Sequence, residues 1–217
     1  MRKSPHVSTI ARCRIFLPFL ALGAAVGMHT SSLAAQQPIP APLVEGFGDG
    51  DNWMLQRDLV YRIGINTPYT ITVPKGFVTD FGSIPKIFRP VLGSTGPYSQ
   101  AAVVHDYLYW VKSCTRKQSD NLLAIAMRES GVSAIKHWAI YSGVRVGGTS
   151  AWDNDRAERA SKLIRSVPAP YDTVPAVGTW SDYRAWLKAH NVAPAAEPPV
   201  AKSVCAVGNT TGVPKAP

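Results

Sequence analysis

The segment from Tyr98 to Ser130, YSQAAVVHDYLYWVKSCTRKQSDNLLAIAMRES, decides how the rest of the chain is read. Residues 98–112 read as a helix with an apolar body. Thr115 opens a second helix, with Gln118 three positions on as its capping-box partner. That helix is predicted to run to Glu129 or Ser130 and to stop at Gly131. Ionisable residues stand on the apolar faces of both. At helical spacing His105 has Ala101 and Ala102 on one side and Leu108 and Tyr109 on the other, so its imidazole is expected to point inward. Asp120 shares a face with Leu123, Ala124 and Met127, and a buried carboxylate is costly unless something pairs with it. Antiparallel packing across the Ser113–Cys114 loop sets Asp120 opposite His105. Asp106 lies about 100° round the helix from His105, so the two address different sides of one cavity rather than each other.

Working outward, the N-terminal side alternates. Leu59, Tyr61 and Ile63, then Tyr69, Ile71 and Val73, predict two antiparallel strands separated by the break Asn66-Thr67-Pro68. Phe77-Val78 is a candidate third strand. In the loop Thr79 to Pro85, Asp80 is placed to start an Asx turn and Ser83 to cap a short helix. On the C-terminal side, Ser133 opens a helix expected to end at Gly147-Gly148. A polar helix over 153–166 and a short amphipathic piece from Trp180 to His190 follow. The expected fold is α+β: a small antiparallel hairpin or meander, then a cluster of three to four helices. The divisions are a leader at 1–34, a Pro/Gly-rich linker at 35–52, a domain at 53–152, a helical extension at 153–191 and a tail without structure at 192–217.

The leader is read from Arg2, Lys3, Arg12 and Arg14, followed by the apolar run Ile15–Val26 and the small residues Ser32-Leu33-Ala34. This is the pattern of a secretory signal peptide, and the run is short for a membrane span. Export to the periplasm or the cell exterior is therefore expected, with no transmembrane anchor after cleavage. Of the net charge of +9, four charges lie in the leader, leaving +5, which favours an envelope lipid or a cell-wall polymer as partner. The sequence gives no dense basic stripe with interleaved aromatics of the kind that binds nucleic acid. Cys114 and Cys205 follow the leader, and in an oxidising compartment either a bridge or two free thiols fits them. Zinc spacing is missing.

The run Val73–Pro85 (VPKGFVTDFGSIP), with His105–Tyr109 (HDYLY) and Thr115–Asp120 (TRKQSD), resembles the bacterial and phage family known as domain of unknown function 1353, over about Trp53 to Trp152. Gly82 stands where that family usually has Ala, and the resemblance implies no activity. His-Asp-x-x-Tyr followed by an Asp on the next helix is also similar to the active-site helices of secreted phospholipases A2. That similarity implies His105 as the base that activates water, Asp106 as a calcium ligand, Asp120 as the residue orienting the histidine and Tyr109 as a supporting hydroxyl. The carbonyl-bearing loop would fall at Gly93–Gly96, nearer the histidine than the phospholipase pattern has it.

These readings converge on a hydrolase of an envelope component, phospholipid or peptidoglycan. A His105–Asp120 dyad activates water in it, with metal assistance at Asp106 and Asp80 as one form. A variant makes Ser83 the nucleophile of a Ser83–His105–Asp120 triad, although no Gly-x-Ser-x-Gly elbow is present. The rival from another class is a non-enzymatic envelope or phage-derived accessory protein. In it the same His and Asp residues form a buried polar network that holds the strands on the helices.

Overall fold

A computed structural model describes residues 40–82 and 97–215. The leader, Ser83 and the Gly93–Gly96 loop lie outside the described residues.

The alternating segments form strands, because period-two alternation puts every second side chain on one buried face. Strands β3 (Leu59–Arg62) and β4 (Thr70–Val73) pair antiparallel, with Leu59 opposite Val73 and Tyr61 opposite Ile71, and these four side chains are buried. A second antiparallel sheet joins β1 (Val44–Gly46), β2 (Trp53–Leu55) and β5 (Val78–Thr79) in the order β1-β2-β5. The strand expected at Phe77-Val78 falls at Val78–Thr79, and it pairs with Met54 and Trp53 instead of extending the hairpin.

Helices α1 (Tyr98–Val111) and α2 (Arg116–Glu129) occupy the predicted positions, and the Thr115–Gln118 capping box forms in both directions. Helix α1 is apolar nearly all round and accordingly buried nearly all round, by β4, β5, α2 and the next helix. That helix, α3, runs unbroken from Ala134 to Ala160. The expected stop at Gly147-Gly148 and the separate helix over 153–166 are both corrected. A glycine costs a helix interior about 1 kcal/mol, which neighbouring turns and tertiary packing offset. Here the packing requires it, since a Cβ on Gly148 would fall 2.5 Å from the Tyr109 hydroxyl oxygen. Helix α4 (Trp180–Ala189) matches the amphipathic piece, with its own Thr179–Asp182 capping box.

The described parts of the expected linker and of the expected unstructured tail belong to the fold. Residues 35–52 contain β1, and Phe47 packs its ring on Trp180 and Tyr183 within a second core shared with Ile164, Val167 and Leu187. Residues 192–215 wrap back over the helices. Tyr107 donates to the carbonyl of Pro198 at 2.7 Å, and α5 (Lys202–Val207) buries Val204 and Cys205 in the main core. The Cys114–Cys205 disulfide fixes this segment beside the start of α2, and Gly208 lies so close that a Cβ there would sit 2.5 Å from the Gln118 carbonyl oxygen. A bridge closing 91 residues contributes about 4 to 5 kcal/mol in chain-entropy terms. Composition hid both segments, because one covalent bond and a few buried side chains do the work that an apolar pattern does elsewhere.

Candidate active site

The short turn between α1 and α2 brings the second turn of α2 against the middle of α1. His105 Nε2 stands 3.1 Å from Asp120 Oδ1, and the Tyr109 hydroxyl, one helical turn on, donates to the same oxygen at 2.6 Å. The His105 and Tyr109 rings lie 4.1 Å apart, and Trp152 of α3 meets Tyr109 edge-on. The other carboxylate oxygen, Oδ2, accepts from Arg116 at 3.2 Å and Arg145 at 2.9 Å. Asp120 has no exposed surface. Burial alone pushes its carboxyl upward, but the hydrogen bonds from His105 and Tyr109, the charge of His105 and the Arg145 bond outweigh it and hold the pKa below the usual value. Burial first, and then the Asp120 hydrogen bond and charge, push the Tyr109 phenol upward, so it remains a donor.

Asp106, one residue from His105, meets a different environment. Its Oδ2 accepts from the Thr79 hydroxyl at 2.5 Å and from the Gly82 amide at 3.1 Å. The loop reaches it because Phe81 and Gly82 both take left-handed backbone conformations, at φ 56° and 83°, the second natural to glycine. Asp80 forms the expected Asx turn, accepting from the Gly82 amide at 3.0 Å. Burial, and next the neighbouring Asp80 charge, hold the Asp106 carboxyl well above the carboxylate range, against the opposing pull of Arg165 and Thr79. Arg165, with a side chain only 14% exposed, donates to Asp155 at 2.8 Å and to the Val78 carbonyl, and its Nη2 lies 3.8 Å from Asp80.

Both environments open on a cavity of about 770 Å³ lined by His105, Asp106, Tyr109 and Asp80. Asp120 is not part of its wall and sits behind His105. The arrangement therefore leaves Nδ1, the imidazole nitrogen that Asp120 does not engage, for a molecule in the cavity. The facing of His105 and Asp120 was legible in the spacing, whereas the Tyr109 hydroxyl entered only through the phospholipase similarity. Arg116 was also within reach, standing one helical turn before Asp120. Arg145, Asp155 and Arg165 were not, because only the fold brings residues so far along the chain to α1.

The residues present do not suit calcium. Calcium takes six or more oxygen ligands, whereas Asp106 is approached by hydrogen-bond donors and Asp80 by a guanidinium group. Among the described residues no group of three His, Cys, Asp or Glu is arranged to hold a metal ion. The positive charge expected from a metal ion at Asp106 and Asp80 is supplied here by Arg165.

Residues 53–144 match the DUF1353 family, described as a protein of unknown function. The matched segment carries His105, Asp106, Asp120 and Tyr109, but not Arg145 or Arg165. The chain is 36% identical over 78 residues to the uncharacterized protein y4jT of Sinorhizobium fredii (strain NBRC 101917 / NGR234), a match covering 35% of this chain and 23% of that protein. The chain thus spans less than a quarter of that relative's length. No solved structure matches. Neither the family nor the relative lends support to the phospholipase similarity.

Proposed function

We propose that this protein is an exported hydrolase acting on an envelope component, with His105 as general base. The observation that carries the reading is a buried His–Asp pair whose histidine borders a large cavity while its aspartate is locked from behind. An aspartate bound to one imidazole nitrogen fixes the tautomer and stabilises the imidazolium that forms when the other nitrogen takes a proton. In the reaction His105 Nδ1 removes a proton from water and the water oxygen bonds to the substrate carbonyl carbon. When the carbon–oxygen or carbon–nitrogen bond of the leaving group breaks, the same proton passes to that group. Tyr109, Arg116 and Arg145 hold Asp120 ionised and in place. Export is supported by the Cys114–Cys205 bond, which suits an oxidising compartment.

Incubation of the purified protein with labelled phospholipid and with peptidoglycan sacculi tests the reading. One of the two substrates is expected to be cleaved, and His105→Ala to lower the rate by about 10²- to 10⁴-fold, the range for loss of general-base catalysis. No turnover of either substrate sinks the hydrolase. The second reading, a structural polar network, is favoured by the number of donors on Asp120, four on two oxygens. It predicts that His105→Ala changes stability and no reaction.

A further inference from the structure

The N-terminal half of α3 presents an apolar row to its outside. Ile135, Trp138 and Val146 are 79%, 71% and 86% exposed. At 3.6 residues per turn they fall, with Ser142, within an arc of about 80° and over a length of about 16 Å. The other large apolar side chains exposed among the described residues, Leu43, Ile65, Val177 and Trp186, are scattered over separate segments. Single exposed apolar residues are ordinary, whereas a contiguous row of them marks a surface that meets a partner. Ala139, Gly143 and Gly147 run beside the row at four-residue spacing and also line the cavity. The apolar face therefore reaches the cavity wall along the same helix.

Charge selects the partner. From Ser130 to Trp152 the sequence holds Lys136, His137 and Arg145 and no acidic residue. Lys136 makes no salt bridge among the described residues. Arg145 shares the single carboxylate of Asp120 with Arg116, so two guanidinium groups answer one acid. The acids that flank the stretch are engaged, Glu129 by Tyr61 and Gly64 and Asp153 by Arg156. Positive charge is thus left over beside the row. A second copy of the chain on this face would bring like charges together, and an anionic surface would not. No helix among the described residues is long and apolar enough to cross a membrane. An exposed Trp and aliphatic side chains edged by cations suit instead a helix lying on a bilayer, with the indole at headgroup level. We infer that this face of α3 docks on a bilayer that carries anionic phospholipid. The docking stands without catalysis. Resting on the hydrolase reading, it also names phospholipid, and not peptidoglycan, as the substrate, entering the cavity past Ala139, Gly143 and Gly147.

The test mixes the full chain with vesicles of phosphatidylcholine alone, or of phosphatidylcholine and phosphatidylglycerol in equal parts. Binding is read by flotation and by quenching of tryptophan fluorescence with brominated acyl chains. The phosphatidylglycerol vesicles are expected to bind at least ten-fold more tightly, and less so as salt is raised. Trp138→Phe is expected to float like wild type and to lose the quenched component. Ile135→Ser with Val146→Ser changes two exposed positions, so the urea midpoint should hold while affinity falls ten-fold or more. Lys136→Glu is expected to lower affinity for the phosphatidylglycerol vesicles ten-fold or more, and Val177→Ser to bind like wild type. Three results overturn the inference: no flotation, flotation in which Trp138 is not quenched, or a dimer in sedimentation that the Ile135 and Val146 changes dissociate. Docking through Trp138 without hydrolysis of any envelope substrate sinks the hydrolase alone. Hydrolysis of detergent-dispersed phospholipid without quenching of Trp138 sinks the docking alone.

Discussion

His105 and Asp106 are neighbours on one helix, yet they belong to opposite electrostatic regimes. On the His105 side a carboxylate with no exposed surface is surrounded by an imidazole, a phenol and two guanidinium groups, and its pKa falls. On the Asp106 side an almost equally buried carboxyl faces a second aspartate, shares one guanidinium group with other acids, and its pKa rises. Burial is common to both and pushes both upward. What differs is the number of hydrogen-bond donors and positive charges within reach, and that sends the two carboxyl pKa values in opposite directions. A pair of acids pushed apart in this way is a frequent basis for dividing acid and base roles within one site.

The comparison can be broken most forcefully at Asp120. Asp120→Ala leaves Arg116, Arg145 and His105 facing one another without a counter-ion, and the expected loss is about 3 to 5 kcal/mol in urea unfolding at pH 7. Tyr109→Phe removes one donor from the charged oxygen and is expected to cost about 1.5 to 3 kcal/mol in the same assay. A loss as large as that of Asp120→Ala would mean that the hydroxyl, and not the guanidinium groups, holds the site. Gly148→Ala should cost about 1 to 3 kcal/mol by overpacking against the Tyr109 hydroxyl. Combined with Tyr109→Phe it should cost less than the sum of the two, which a double-mutant cycle measures.

Asp106→Asn is the mildest of the four, within about 1 kcal/mol of wild type near pH 4.5, because it replaces a group that keeps its proton in the folded state. Its signature is the pH dependence. A carboxyl with a raised folded pKa binds a proton more tightly folded than unfolded, so its contribution is full below the unfolded pKa, about 4, and is lost as pH rises through the folded value. Asp106→Asn should flatten that decline relative to wild type. Asp120 has the opposite sign: its contribution is present above about pH 4 and is lost as pH falls through its depressed folded value. Urea titrations of both variants across pH 3 to 8 separate the two regimes, and parallel profiles would erase the contrast.

How much of this was legible depends on distance along the chain. The hairpin, α1, α2 and the His105–Asp120 pairing rest on interactions within about one turn or across one short loop, where period and capping residues speak directly. The continuity of α3 was misread because a glycine pair reads as a stop until the side chain it must clear is known. The tail and the 35–52 segment were misread because their anchors are single long-range partners, Cys114 for Cys205 and Trp180 for Phe47.

By itself, then, the sequence determined the α+β order, the two central helices and the residues of the His–Asp pair, since local periodicity carries that information. Only the tertiary structure decided the electrostatics. Arg145 reaches Asp120 from 25 residues away, and Arg165 joins Asp155 and Asp80 beside Asp106. A carboxyl's charge state is set by whatever surrounds it in space, and no local pattern encodes that.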